Sequence, residues 1–316
     1  MNIISVVVTY NRKKLLIECI NSILAQTIKC NKVIIIDNAS TDNTKEELEE
    51  CNILKDKSVE YVRLKENIGG AGGFYTGIKE SLKYNPDWVW IMDDDTIPTN
   101  DCLEELVNAL EKVKEKKISF LASNIRGIDN CMMNVPIINT EVEDGKYPNW
   151  SKYLKYGIVK IKEATFVSLL INTDAIKKCG LPVKDYFIWG DDTEYTLRLN
   201  KYYGSSFLIG KSEAIHKRKI TKQLKISQEN DKNRIKMYYY MIRNTLINKK
   251  TYFGRKNCFK YFLGKQVQSL AILFNPKSKY RWIKFFTIHK GLLAFVFKKY
   301  AYKAFKNRFS FDVKNA

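Results

Sequence analysis

Apolar and polar positions change period repeatedly over the first hundred residues. Ile3 to Thr9 is a run rich in β-branched residues, the mark of a buried strand, and Leu15, Leu16, Cys19, Ile20, Ile23 and Leu24 then recur at helical spacing. Lys32 to Asp37 and Val59 to Leu64 predict two further strands, with turn-rich Asn38 to Thr44 leading into a helix around Leu48. Gly69 to Gly77 opens another helix, and Trp88 to Met92 predicts a fourth strand that runs straight into Asp93, Asp94 and Asp95. The β-α-β-α order predicts an open α/β sheet with polar residues at its C-terminal edge, where such sheets bind ligands.

From Ile118 to Ile215 the pattern loosens. Short runs at Ile118 to Ala122, Thr165 to Ile171 and Ser205 to Ile209 predict a mixed extension of the same sheet. Beyond Lys217 the apolar spacing turns helical again through Ile235, Tyr238, Tyr239, Ile242 and Leu246. No internal repeat and no low-complexity linker separates these parts.

Charge draws the boundary that periodicity does not. The 316 residues carry a formal net charge of +20, but residues 217–316 hold 26 Lys and Arg against three acids, a net +23, while residues 1–216 hold 28 against 31, a net −3. A near-neutral α/β domain over 1–218 is therefore expected to precede a basic, aromatic-rich helical region over 219–316 that seeks an anionic partner. About 20 aromatic residues share that last third with the cations, the composition of helices that lie on an anionic membrane surface. Lys, Arg and interleaved aromatics also suit nucleic acid, but no recognisable nucleic-acid-binding module is present, and none is expected as a partner. Seven scattered cysteines without C-x-x-C spacing argue against a disulfide framework and for a reducing cytosol. The N-terminal apolar run is too short for a signal peptide and no segment is long and apolar enough to span a bilayer, so membrane contact is expected to be peripheral.

Three local patterns can carry chemistry. Three consecutive acids after a buried strand repel one another unless a cation neutralises them. Alternation directs Asp93 and Asp95 to one side and Asp94 to the other, so the pair suits Mg²⁺ or Mn²⁺ bridging a diphosphate, or else forms a solvated acidic turn. The run Asn67-Ile68-Gly69-Gly70-Ala71-Gly72-Gly73-Phe74 lacks G-x-G-x-x-G spacing. It reads either as a loop where backbone approaches an anionic ligand at a helix N-terminus, or as a flexible turn. Asp191, Asp192 and Glu194 stand beside Trp189 and Tyr186, where an aromatic face can stack on a sugar ring while a carboxylate takes a hydroxyl proton; they equally suit the first turn of a helix. His216, one of two histidines, is a metal ligand or a structural residue.

Taken in order, these residues resemble family 2 inverting glycosyltransferases of the GT-A fold from Ile3 to about Asn248. The resemblance rests on Thr9-Tyr10-Asn11-Arg12, Ile36-Asp37-Asn38-Ala39-Ser40, Asn67 with the glycine run, Asp93 to Asp95, the Asp-Asp-x-Glu group and the trailing His216. Within the family, Gly-Gly-Ala-Gly-Gly-Phe, the triple Asp and Trp189-Gly190-Asp191-Asp192-Thr193-Glu194-Tyr195 look most like bacterial galactofuranosyltransferases, with rhamnosyltransferases using dTDP-rhamnose as the alternative. Those enzymes commonly place Trp directly before the paired Asp; here Gly190 intervenes.

The resemblance implies a nucleotide-binding α/β sheet of GT-A type, a mixed central sheet and a C-terminal helical extension. It implies that Thr9, Arg12, Asp37, Asn67, Gly70, Asp93 and Asp94 hold the nucleotide sugar, and that Asp95 and His216 bind Mn²⁺ or Mg²⁺. Asp192 would be the catalytic base, with Trp189, Asp191 and Glu194 at the acceptor. The implied donor is UDP-galactofuranose and the implied acceptor a lipid-linked glycan of a bacterial surface polysaccharide, met at the inner face of the cytoplasmic membrane.

Overall fold

Pairing of the buried runs builds the sheet around β1 (Ile3–Thr9), which lies parallel between β2 (Lys32–Asp37) and β4 (Trp88–Asp93). β3 (Val59–Arg63) joins the far side of β2, also parallel. Helix α1 (Lys13–Leu24) follows β1, α2 (Thr44–Glu50) follows β2 and α3 (Gly69–Ser81) follows β3. A short β5 (Thr96–Pro98) and α4 (Cys102–Lys112) lead from β4 into the mixed half of the sheet. That half comprises β6 (Ile118–Gly127), β7 (Ile137–Ile138), β8 (Ile158–Glu163), β9 (Leu169–Asn172) and β10 (Ser205–His216). α5 (Thr173–Cys179) and α6 (Asp191–Tyr202) lie between the last two strands in the chain. In this computed structural model, which describes residues 1–142, 147–218 and 225–297, the ten strands run β3-β2-β1-β4-β9-β6-β10-β8-β7, with β5 paired to β10.

Strand alternation sorts the core onto the two faces of the sheet. Val7, Ile35 and Trp90 pack with Leu16, Cys19, Ile20 and Ile23 of α1 and Leu103 and Leu106 of α4, whereas Val6, Val8, Ile34, Ile36 and Ile91 pack with Phe74 and Ile78 of α3. The glycines of α3 serve this packing. A Cβ on Gly73 would stand 2.5 Å from Val8 Cγ1 and one on Gly77 2.3 Å from Val6 Cγ1, so the helix sits on β1 as closely as backbone allows. The glycine run thus opens a helix, as expected, and is not a flexible turn. Only at Gly70, among the α3 glycines from 70 onward, does a Cβ meet open space.

Three strand expectations change, the first being Ile118–Ala122, which lengthens to β6 (Ile118–Gly127). Thr165–Ile171 shortens to β9 because Ser168 adopts a left-handed conformation (φ 53°), its hydroxyl accepting from Trp90 Nε1 at 3.0 Å. Ser205–Ile209 lengthens to β10 because a register shift between Ile209 and Glu213 lets the strand resume against β6 and reach His216.

The chain divides into two compact units, Met1–Lys184 with Tyr195–Thr221, and Asp185–Glu194 with Lys222–Ala316. A boundary at 218 read from charge does not contain this grouping of Asp185–Glu194 with the C-terminal residues. In the second unit, α7 (Lys232–Tyr252), α8 (Gly254–Phe274) and α9 (Arg281–Val296) enclose a core of Tyr238, Ile242, Leu246, Cys258, Ile272, Ile288 and Leu292, against which Trp189 packs. Asp231 caps α7 by accepting from the backbone N–H of Asn233 and Arg234 at 2.8 and 2.9 Å. Parts of the basic region assigned to 219–316, namely 219–224 and 298–316, lie outside the described residues.

Candidate functional site

Parallel register carries polar strand ends to one edge of the first unit. Thr9 pairs with Asp37 across β1 and β2, and Val8 with Asp93 across β1 and β4. His216, the last residue of β10, pairs with Thr96 of β5 just beyond the acidic turn. Ligand atoms of Asp93, Asp95 and His216 consequently lie within 4.8 Å of one another. Asp94 turns away from them, accepting from Thr9 Oγ1 at 2.8 Å and from Arg12 Nη1 at 3.2 Å, while the same Nη1 donates to Asp95 Oδ2 at 2.6 Å.

Burial and neighbouring side chains compete over the charge state of these acids. Burial pushes the Asp94 carboxyl up to about 6, with Arg12 opposing. Burial acts the same way on Asp95, but His216, Arg12 and Arg218 outweigh it and hold that carboxyl below the ordinary range. Asp95 Oδ1 is 3.0 Å from His216 Nε2, yet it is fully buried and accepts no hydrogen bond of good geometry. His216 Nδ1 donates to Asn134 Oδ1 at 2.8 Å, which leaves Nε2 facing the acids. A buried carboxylate oxygen with spare acceptor capacity, a second carboxylate and an imidazole Nε2 are a donor set that fits Mn²⁺ or Mg²⁺.

The neighbouring polar groups are ordered as well. Asp37 Oδ1 accepts from Ser40 N at 2.7 Å and its Oδ2 from the Tyr61 hydroxyl. Asn67 Oδ1 accepts from Asn38 Nδ2 at 3.0 Å and from Gly69 N at 2.9 Å, while Asn38 Oδ1 accepts from Ile68 N at 3.0 Å. Two side chains thereby fix the entry to α3. Gly70, next along, offers unobstructed backbone.

The second group of acids belongs to the second unit. Phe187, Trp189 and Gly190 all have positive φ (64°, 61° and 88°), a conformation that costs about 1–3 kcal/mol at each of the two aromatic residues. Helix α7 holds it. Asn244 Nδ2 donates to the carbonyls of Tyr186, Ile188 and Trp189 at 3.0, 3.1 and 2.7 Å, and Asn248 Nδ2 to that of Gly190 at 2.8 Å. Arg243 Nη2 donates to the carbonyl of Asp185 at 2.7 Å, and the Tyr186 hydroxyl to Asn248 Oδ1 at 2.8 Å. The Trp189 ring packs 5.2 Å from that of Tyr238.

Beyond this turn α6 begins with Asp191, Asp192 and Glu194. Asp192 Oδ1 accepts from Thr193 N at 2.7 Å, and Glu194 accepts from the Tyr252 hydroxyl at 2.8 Å. Asp191 and Glu194 are buried, while Asp192 keeps partial exposure. Burial raises both Asp carboxyls, Asp192 adding its repulsion to Asp191, against backbone N–H groups that favour the charged forms. A partly exposed carboxylate with a raised pKa is suited to accept a proton. The sequence pattern assigns no role to Asn134, Asn244, Asn248 or Tyr252. Asn244, Asn248 and Tyr252 recur every four residues on one face of α7, a polar stripe that the apolar spacing alone does not bring out.

Residues 5–118 match the family model described as glycosyl transferase family 2. Galactofuranosyltransferase GlfT1 of Mycolicibacterium smegmatis is 25% identical over 206 residues, covering 62% of this chain. The match spans 64% of that relative, just under two thirds of its length. Among solved structures, S. aureus TarS 1–349 in complex with UDP-GlcNAc superposes with a TM-score of 0.57 at 13% identity, covering 94% of this chain and 82% of its own. GalNAc-T7 with UDP, GalNAc and Mn²⁺ gives 0.63 at 15% identity, covering 90% of this chain and 55% of its own. The fold is that of the GT-A glycosyltransferases, with helices added at the C-terminus.

Proposed function

We propose, for a chain that carries a glycosyl transferase family 2 domain over residues 5–118, a metal-dependent inverting transfer of a sugar from a nucleotide donor to a hydroxyl of a glycan acceptor. The convergence of Asp93, Asp95 and His216 at the edge that also presents Thr9 and Asp37 is the observation that carries this reading. Likeness to a galactofuranosyltransferase supports UDP-galactofuranose as the donor.

Asp37, Asn67 and Gly70 would receive the nucleoside, and Thr9, Arg12 and Asp94 would order the diphosphate side. Arg12, half-exposed while paired to Asp94 and Asp95, has guanidinium N–H groups left to offer a phosphate. Asp93, Asp95 and His216 would hold Mn²⁺ or Mg²⁺, which when bound neutralises charge on the departing diphosphate. Trp189 would stack on the acceptor sugar, with Asp191 and Glu194 orienting it. Asp192 takes the proton of the acceptor hydroxyl as its oxygen bonds to the anomeric carbon. The bond from that carbon to the diphosphate oxygen breaks with its electron pair leaving on the nucleoside diphosphate. One displacement on one face inverts the anomeric centre.

Peripheral binding at the inner face of a bacterial cytoplasmic membrane, with a lipid-linked acceptor for a surface polysaccharide, is the setting we assign. It is supported by the cationic last third, and among the described residues no helix is long and apolar enough to cross a membrane. The test is turnover of UDP-galactofuranose, UDP-galactopyranose, UDP-glucose and dTDP-rhamnose with divalent metal and with chelator. Metal-dependent release of UDP from the furanose donor is expected. Turnover of dTDP-rhamnose alone would replace the donor assignment, and turnover of none would overturn the reading.

A further inference from the structure

Helices α8 and α9 bury one side and leave the other apolar. On α8, Phe259, Leu263, Val267, Leu270 and Phe274 are all exposed, Val267 and Phe274 by 67% and 77%. At 100° per residue they fall within an arc of about 80°. On α9, Trp282, Phe286, Leu293 and Phe297 at its C-cap share a second such stripe, with Trp282 and Phe286 stacked at 6.2 Å. The opposite sides face α7: Cys258 Sγ donates to the Leu246 carbonyl, and Gly291 lies against Ile242. Both apolar stripes therefore point away from α7.

Cations frame these stripes without a single acid. Residues 254–297 contain nine Lys and Arg and no Asp or Glu. Arg255, Lys256 and Lys260 are exposed at the start of α8, and Lys277, Lys279 and Arg281 at the turn into α9. A second copy of this surface would add cations against an acid-free face, whereas an anionic lipid surface complements them. Large apolar side chains on one side of a cationic helix are the arrangement that seats helices at the boundary between lipid headgroups and acyl chains.

We propose that the exposed faces of α8 and α9 form a bilayer-docking surface selective for anionic phospholipid. Its lipid-linked acceptor rests on the function proposed above, but the surface itself stands on the second unit alone, and vesicle binding is read without any sugar donor. Failure of one is thus distinguishable from failure of the other.

The experiment is cosedimentation of the full chain with phosphatidylcholine vesicles, with and without phosphatidylglycerol, at moderate salt. Binding to the anionic vesicles is expected, with at least about a tenfold loss in neutral ones. The variant Phe259→Ser, Val267→Ser, Phe274→Ser should lose about tenfold or more while retaining its thermal midpoint and turnover on a soluble acceptor. Lys277→Glu, Lys279→Glu, Arg281→Glu, which keeps the apolar face, should lose the preference for phosphatidylglycerol. Equal binding of wild type to both vesicles, or of the serine variant and wild type to anionic ones, overturns the proposal. So does a wild-type dimer that the serine variant converts to monomer with vesicle binding unchanged.

Discussion

Asp94 and Asp95 meet a guanidinium and Asp95 also an imidazole, whereas Asp191, Asp192 and Glu194 meet backbone N–H groups and a phenol hydroxyl. Burial lifts Asp94 in spite of Arg12, but for the other acids the pKa directions follow the partners. Asp95, beside His216 and Arg12, lies below the ordinary carboxylate range, while Asp191 and Asp192 lie above it. A carboxylate metal ligand has to be ionised before its cation arrives, so the positive charge of Arg12 suits Asp95. A base has to accept a proton in the transition state, so a carboxylate whose ionisation is disfavoured suits that task. The two groups are also held in place differently: one by strand register and ion pairs, the other by an amide clamp on a left-handed turn.

That division of labour is broken most severely at Asp192. Asp192→Asn keeps size and loses basicity, and is expected to lower kcat by about 10²–10⁴-fold. Affinity for UDP-sugar, measured by calorimetry, should stay near wild type, and near-normal turnover would refute the base assignment. On the other side, His216→Ala should weaken Mn²⁺ binding by at least about 10–100-fold, seen by metal titration. Asn134→Ala, which only frees Nδ1, should stay at or below the low end of that range. An unchanged titration in His216→Ala would make the histidine structural.

The amide clamp is sharpened by Asn244→Ala, which leaves the carbonyls of Tyr186, Ile188 and Trp189 without that donor. A stability loss of about 1–3 kcal/mol in denaturant unfolding is expected. A role in positioning requires kcat to fall as well, with the pH of half-maximal rate displaced; a stability loss alone would leave Asn244 a structural residue.

Burial of Asp191 also makes stability depend on pH. A buried acid whose folded pKa is raised contributes stability that is fully present below the ordinary range near about 4 and is lost as pH rises through the folded value. Asp191→Asn removes that loss, so its thermal midpoint should exceed wild type at about pH 9 and match it at about pH 4. Parallel midpoints across that window would mean that Asp191 is not held protonated by burial.

Much of the proposed metal corner was legible because its positions are local. β-branched runs ending in Thr9, Asp37 and Asp93 predict strands whose parallel pairing brings those ends together, and alternation alone separates Asp94 from Asp93 and Asp95. His216 needed the resemblance, since its strand is interrupted by the shift after Ile209. Around Asp192 the acids were legible and their support was not, because Asn244, Asn248 and Tyr252 lie more than fifty residues further along the chain. The glycine run opens a helix as its pattern predicts, but that Gly73 and Gly77 answer to Val8 and Val6 in the core is visible only in the fold. Asn134 carried no signal, being one asparagine in an irregular stretch whose left-handed backbone (φ 49°) only the fold reveals.

The separation of tasks is tested most directly by initial rate against Mn²⁺ concentration for wild type, His216→Ala and Asp192→Asn. His216→Ala is expected to move the midpoint to higher metal with much of the plateau rate recovered, and Asp192→Asn to lower the plateau at an unchanged midpoint. A shifted midpoint in Asp192→Asn, or a lowered plateau at an unchanged midpoint in His216→Ala, would contradict that separation.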